Sequence, residues 1–439
     1  MQFLPMSKLG PRDEGQAVSF GIYLPGISSE HGYRLRVRMI HEKDQFIEAV
    51  PPFDQYLEHS VDTPYGGPWD YWTTTVSLTG PGNGGHWGEV GRYVYRYALD
   101  TPDGEMIDWV IDPFAREFGV GKHAAWTYGY KAFEWPEEEA HWRTPAHRDL
   151  VMYELNIMEF AGSLELTMER FDYLQDLGIN CISLMPVTNV ADTFDWGYTP
   201  IGYFGVDERF GKRSDFQQFV AAAHQAGIAV LVDAVYGHTS DLFAYEYLYS
   251  RARLPNPMMG GFAKNDFGAS VDWRRPFSQD FFYSVNRLWL EKFHVDGFRY
   301  DCVPNYWDLA PDYRGFAEIA YRTYQYVKGQ VAAGEPGYAR FSDGSEPLRL
   351  IQCAEQLEMP AEALKQTFAT CTWQTRTLSK AREVARGSRD AISALGHCLG
   401  ADGMPTGVEH EGDLGALGRL LATLDERALL VGHSLGGYM

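Results

Sequence analysis

Four charged residues interrupt apolar runs of strand length: Asp233 in IAVLVDAVY (228–236), Arg299 and Asp301 in GFRYDCV (297–303), and Glu355 at the end of LRLIQCAE (348–355). A charge inside an apolar strand is costly unless it is paired, so the four are expected to share one network. Arg299 precedes Asp301 by two residues and so lies on the same strand face, where its guanidinium can hold that carboxylate ionised. Two carboxylates on neighbouring strands suit glycoside hydrolysis, in which a separation of ~5–5.5 Å lets one act as nucleophile and the other as acid and then base. The same residue types also make a structural ion-pair cluster at the rim of a sheet.

The elements that carry these groups are legible from residue 151 onward. VMYELNI (151–157), CISLMPV (181–187) and the three runs above alternate with helical segments, the pattern of a parallel sheet covered on both faces. In SDFQQFVAAAHQAG, Ser214 stands as N-cap with Gln217 three residues on, Phe216, Phe219, Val220 and Ala223 form one apolar stripe, and Gly227 ends the helix. LELTMERFDYLQDLG ends in the same way at Gly178. A doubly wound sheet and a (β/α)8 barrel both remain open, and both place chemistry at the carboxyl ends of the strands. His238, just past the Asp233 run, shares that position.

Residues 1–145 read as an all-β domain of aromatic and β-branched runs, with Tyr93, Tyr95 and Tyr97 at period two marking a half-buried strand. Most of its aromatics are expected in the core; exposed rings at Trp69, Tyr71, Trp72 or Trp87 would make a flat platform for a sugar. The charged, proline-containing stretch 135–149 reads as a linker, residues 150–411 as the βα domain, and 412–439 as a separate tail.

Composition narrows the partners. With 38 Lys and Arg against 59 Asp and Glu the net charge is −21, which repels nucleic acid and anionic lipid and favours a neutral or cationic small ligand. No apolar stretch approaches the ~18 residues that span a bilayer, and the first residues do not form a signal peptide; the expectation is a soluble, cytoplasmic protein. Five cysteines without CxxC pairing argue for buried thiols rather than disulfides or zinc ribbons.

DAVYGH (233–238), GFRYDCV (297–303) and CAEQ (353–356), in that order, resemble the first three motif regions of the α-amylase family, glycoside hydrolase family 13. DWGYTPIGYFGVDERFG (195–211) is similar to the segment after the second barrel strand in α-glucan branching enzymes and their relatives. The resemblance implies a TIM barrel preceded by a β-sandwich that looks like a carbohydrate-binding module. It also implies a retaining enzyme that cleaves or transfers α-1,4-glucosidic bonds of starch, glycogen or maltooligosaccharide. Asp301 would be the nucleophile and Glu355 the general acid and base. Arg299 would orient Asp301, His238, Tyr198 and Trp196 would bind the sugar, and Asp233 would brace Arg299. No cofactor or metal is implied.

Three departures from the family pattern stand out. Gly237 replaces the Asn that usually precedes the motif's His and commonly ligates calcium, Asn305 takes the place of a second His, and the fourth motif, a His-Asp pair after strand seven, is not recognisable. If FATCTW (368–373) is strand six, strand eight has no candidate and the barrel is incomplete at its carboxyl end. ALLVGHSLGGYM resembles the nucleophile elbow of α/β-hydrolases, with Ser434 in GxSxG; alternatively ALLV is strand seven, with His433 and Ser434 where the missing pair belongs. The competing functional readings are a non-catalytic glucan-binding remnant and, third, a serine hydrolase at Ser434.

Overall fold

The computed structural model describes residues 1–395, other than 194–195, 264–266, 309–311, 345–346, 358, 374 and 393, together with the strand 430–434. Two compact units are present. One comprises Met1–Phe133, Thr188–Ser214 and His238–Val285, and the other comprises Glu134–Val187, Asp215–Gly237 and the described residues from Asn286 onward.

The first unit holds two antiparallel sheets, one of four strands ordered Arg12–Asp13, Ala17–Tyr23, Trp69–Ser77, Glu58–Asp62, and one of six strands built around Arg34–His41 and Gly91–Asp100. Tyr93, Tyr95 and Tyr97 alternate as the sequence implies, but the strand is buried on both faces rather than one: Val94 packs with Ile40 and Ala125 on the opposite side. Tyr95 and Tyr97 carry their hydroxyls into the core, where both donate to Asp112 Oδ2 (2.8 and 3.2 Å). Burial pushes Asp112 up to about 6. Trp72 is buried, with its indole N–H on Ile27 O, and Trp69, Tyr71 and Trp87 are half-buried. Well-exposed rings of this unit include instead Phe46 and Trp109, the latter in the left-handed region (φ 66°), stacked on His123 and 4.2 Å from the Arg96 guanidinium.

Gly205 explains how the segment after the second barrel strand joins this unit, because a Cβ there would stand 2.5 Å from the Arg116 carbonyl oxygen. The GYFGV string is thus required for a close backbone approach.

The second unit is built on a parallel sheet of β1 (Val151–Leu155), β2 (Cys181–Leu184), β3 (Ala229–Ala234), β4 (Gly297–Tyr300), β5 (Ile351–Glu355), β6 (Cys371–Trp373) and β7 (Leu430–Ser434). Hydrogen bonding runs in the order β6-β5-β4-β3-β2-β1-β7. The runs singled out in the sequence are the first six strands, FATCTW included. The seventh corrects the sequence reading: Leu430–Ser434 lies parallel to β1, with Val151 opposite Leu430 and Leu155 opposite Ser434. That is the eighth-strand position of a closed barrel, so ALLV is not strand seven, and the sheet is open between β6 and β7 among the described residues. The strand continues through Gly432 and His433 and ends at Ser434. Residues 396–429 and 435–439, Gly436 among them, lie outside the described residues, and the turn of a nucleophile elbow would follow in the latter stretch.

The helix expected from Ser214 spans Arg213–Gln225, beginning one residue before the expected cap, and buries Phe216, Phe219, Val220 and Ala223 as the stripe requires. Gln217 does not stay at the helix end: its amide donates to Lys292 O at 2.8 Å. LELTMERFDYLQDLG forms two short helices, Leu164–Met168 and Phe171–Asp176, the first capped by Ser163.

Residues 135–149 are not a free linker. Asp296, completely buried just before β4, accepts from Trp142 Nε1 (2.9 Å), Thr144 Oγ1 (2.6 Å) and His224 Nε2 (3.0 Å), and His224 Nδ1 meets Glu139 Oε2 at 2.9 Å. His294 Nδ1 meets the other Glu139 oxygen at 2.8 Å. Both nitrogens of His224 therefore face carboxylates, which calls for the imidazolium. Burial disfavours that charge, but Asp296 and Glu139 outweigh it and raise the His224 pKa. Burial likewise opposes the Glu139 charge, yet hydrogen bonds from His224 and His294 hold it down at about 2.

The signs set a stability window. The lowered Glu139 value contributes stability that is complete above its ordinary range and is lost as pH falls from about 4.5 towards 2; the raised His224 value contributes stability present below about 6.5 and lost as pH rises through the folded value. Urea midpoints measured from pH 3 to 9 should therefore be highest between these limits. Asp296→Asn, which removes one of the two carboxylates that face buried His224, should lower the unfolding free energy by ~3 kcal/mol at pH 6.

Candidate active site

The interior face of the parallel sheet changes character from one end to the other. Its lower layer is apolar: Met152, Cys181, Leu231, Ile351, Cys353 and Cys371 form one buried cluster. Because strand side chains alternate with period two, the next residues on that face are Asp233 above Leu231 and Glu355 above Cys353. Gly297, two residues before Arg299, is required by packing, since a Cβ there would stand 1.8 Å from Ile351 O. The guanidinium of Arg299 follows above it on the same face.

The structure brings Asp233, Arg299, Asp301 and Glu355 together as the charge-pairing argument expects. Arg299 Nη1 donates to both Asp233 oxygens (2.9 Å each) and to Asp301 Oδ1 (2.7 Å), and Nη2 lies 2.9 Å from Glu355 Oε2. Asp233, Arg299 and Asp301 are buried, while Glu355 is partly open. One cation serves three carboxylates, so they cannot all ionise cheaply, and a proton is retained within the cluster. Burial, with the neighbouring Glu355 charge adding to it against the pull of Arg299, pushes Asp301 up to about 6. Asp233 is also raised, first by burial and further by Asp301 and Glu154, with Arg299 opposing.

Three contributors escaped the sequence reading. The Trp373 ring lies 4.4 Å from the Arg299 guanidinium carbon and closes the site at the end of β6. Cys302 adopts the left-handed conformation (φ 41°, ψ 53°), and its backbone N–H donates to Glu355 Oε2 at 2.8 Å. Glu154 is buried in β1. Only Glu154 carried a signal, since a charge within VMYELNI obeys the same rule that singled out Asp233.

The departure at Gly237 has a steric cause, for a Cβ there would come 3.0 Å from the Tyr306 ring. Asn305, which stands in place of a second His, is buried and its Nδ2 has no partner.

His238, Tyr198 and Trp196 lie in the first unit. His238 is buried, with Nε2 2.8 Å from the Tyr198 carbonyl oxygen and its ring against Phe267. Trp196 is 45% exposed and takes a left-handed backbone (φ 58°). Tyr198 is half-buried.

Comparison with known proteins gives a consistent class. Residues 114–259 match the family model for the alpha-amylase catalytic domain. The chain is 30% identical over 286 residues to the 1,4-alpha-glucan branching enzyme GlgB of Bacillus caldolyticus, covering 58% of this chain and 42% of that protein. It is 32% identical over 222 residues to the malto-oligosyltrehalose trehalohydrolase of Rhizobium sp. (strain M-11), covering 47% and 36%. Among solved structures, the catalytic module of the glycogen-degrading pneumococcal virulence factor SpuA superposes with a TM-score of 0.67 at 16% identity, covering 97% of this chain and 69% of that one. A pullulanase from Anoxybacillus sp. LM18-11 complexed with maltotetraose gives 0.62 at 16%, covering 89% and 58%.

The fold is thus of the (β/α)8 barrel type seen in α-amylase-type proteins, with seven parallel strands among the described residues, and the chain resembles the α-amylase family, the family model covering the segment that holds DAVYGH and DWGYTPIGYFGVDERFG. The chain spans less than half the length of the curated relatives it matches.

Arg299→Lys should test the network directly, because an ammonium cannot reach three carboxylates in the geometry of a planar fork. Chemical denaturation at pH 7 should show a loss of ~3 kcal/mol or more, the scale of a broken buried ion pair.

Proposed function

We propose that this chain is a retaining α-glucan-active enzyme that cleaves or transfers α-1,4-glucosidic bonds of starch, glycogen or maltooligosaccharide in the cytoplasm. The observation that carries the reading is the placement of Asp301 and Glu355 at adjoining strand ends, joined through one guanidinium. Asp301 attacks the anomeric carbon while Glu355 protonates the departing glycosidic oxygen, leaving a glycosyl ester on Asp301. Glu355, now a carboxylate, takes a proton from the acceptor hydroxyl as that oxygen displaces Asp301. Water as acceptor gives hydrolysis and a sugar hydroxyl gives transfer. Arg299 fixes Asp301, Asp233 braces Arg299, and His238, Tyr198 and Trp196 contact the glucan.

Among the described residues no helix is long and apolar enough to cross a membrane, and the −21 charge suits an uncharged polysaccharide. The names of the relatives, which include a branching enzyme and a glycogen-degrading module, support the substrate class.

Amylose incubated with the purified chain should yield new reducing ends if water is the acceptor and branch points if a sugar is. Asp301→Asn should lower either rate by about 10³-fold or more. Binding without either product would favour the glucan-binding reading instead. Since Asp301 must be ionised to attack and its value is about 6, kcat/KM should fall as pH drops through about 6. A pH profile that stays flat from 7 to 5 would show that Asp301 remains ionised across that range, and the loss of rate in Asp301→Asn then decides its role.

A further inference from the structure

The first unit contains a cluster of ligating side chains that the glucan chemistry does not use. His41 ends the strand Arg34–His41, Asp44 sits on the short turn Glu42–Asp44, and His86 lies in the segment leading to the strand Gly91–Asp100. One ligating atom from each lies within 4.8 Å of the others. His41 and Asp44 are each 1% exposed, and His86 is half-exposed. His86 binds Asp44 twice, through its backbone N–H on Oδ2 (2.7 Å) and through Nδ1 beside Oδ1 (2.6 Å), and the two imidazoles stack with centroids 5.5 Å apart.

Two further observations point to a ligand. His41 Nε2 is buried without a hydrogen-bond partner, a state that ordinarily costs ~1–3 kcal/mol. Glycines also hold the space beside these atoms open: a Cβ at Gly91 would stand 2.5 Å from His41 Nε2, and one at Gly85, where φ is +59°, would stand 2.4 Å from Asp44 Oδ2.

We propose that His41, Asp44 and His86 bind a divalent cation of the zinc class, with water completing the coordination. Two imidazoles and one carboxylate are a donor set of nitrogen and oxygen that suits zinc, cobalt or nickel, and the carboxylate offsets half of the ion's charge. Lys43 N–H faces His41 Nδ1 at 3.2 Å, so without a cation the ring proton sits on Nε2. Ligation through Nε2 moves that proton to Nδ1 and gives up the long Lys43 hydrogen bond. At His86, Nδ1–H donates to Asp44 Oδ1 while no cation is bound, so ligation through Nδ1 gives up that hydrogen bond and its proton moves to Nε2, or leaves to solvent where Nε2 already carries one. The bound ion ties the 42–44 turn to the segment carrying His86.

The test uses the full chain stripped with a chelator and exchanged into metal-free buffer. It is titrated with Zn²⁺ against a chromophoric chelator and with Co²⁺ followed by visible absorption. One equivalent of Zn²⁺ should bind, Co²⁺ should give a four-coordinate ligand-field spectrum, and the thermal midpoint should rise with metal. His86→Gln and Asp44→Asn should each weaken binding by ~tenfold or more. His59→Gln, at a His-Asp pair outside the cluster, should bind as the parent does. Stoichiometric binding that is unchanged in His86→Gln, or no binding to the parent, overturns the proposal. If Asp44→Asn fails to fold, the half-exposed His86 variant decides by itself.

Discussion

The organising constraint of the second unit is a single guanidinium shared by three carboxylates at the wide end of the sheet. Placing four charges in a low-dielectric interior is tolerable only when each lone pair and proton has a partner at short range. Arg299 answers the three carboxylates with 2.7–2.9 Å contacts from its two terminal nitrogens to Asp233, Asp301 and Glu355. The strands beneath must then hold their register, because a slip of one residue would turn these side chains outward. Gly297 against Ile351, Trp373 over the guanidinium and the left-handed turn at Cys302 all serve the same end. The arrangement leaves Asp301 with little freedom to reorient.

The opposite end of the same sheet shows a second charged network with a different chemistry. Asp296, His224, Glu139 and His294 lie one strand length below the carboxylate cluster, next to the amino-terminal end of β4, and join the segment 134–149 to the sheet. In barrels of this type the carboxyl end carries function and the amino end carries stability. Here the division is visible in the charges: the upper network has one cation for three carboxylates and retains a proton, while in the lower one the doubly hydrogen-bonded His224 offsets its buried carboxylates.

Motif and periodicity made the first six strands legible, together with the four paired charges and the apolar stripe of the helix Arg213–Gln225. Those features are local or nearly so. A run such as IAVLVDAVY declares its own burial, and a charge within it declares a need for a partner. What was misjudged depends on partners far away in the chain. The aromatic strand around Tyr95 looked half-buried because the cover on its second face, Val50 packed against the cross-strand row Ile40, Val94 and Ala125, comes from elsewhere in the chain. The stretch 135–149 looked like a linker because its anchor, Asp296, is ~150 residues distant, beyond the reach of any window of local pattern reading.

By itself the sequence determined the strand and helix identities, the parallel character of the second unit and the residue types available for paired-carboxylate chemistry, because side-chain periodicity and the cost of burying charge act at each position regardless of context. Tertiary structure decided the rest. It placed Leu430–Ser434 beside β1 rather than beside β6, a choice of backbone pairing that any apolar strand leaves open. It chose the Cys302 N–H and the Trp373 ring to finish the site, since a backbone donor and an aromatic face are common to many residues until the fold aims them. It also assembled His41, Asp44 and His86, whose nearness arises from two loops meeting above one sheet, where sequence separation carries no information about distance.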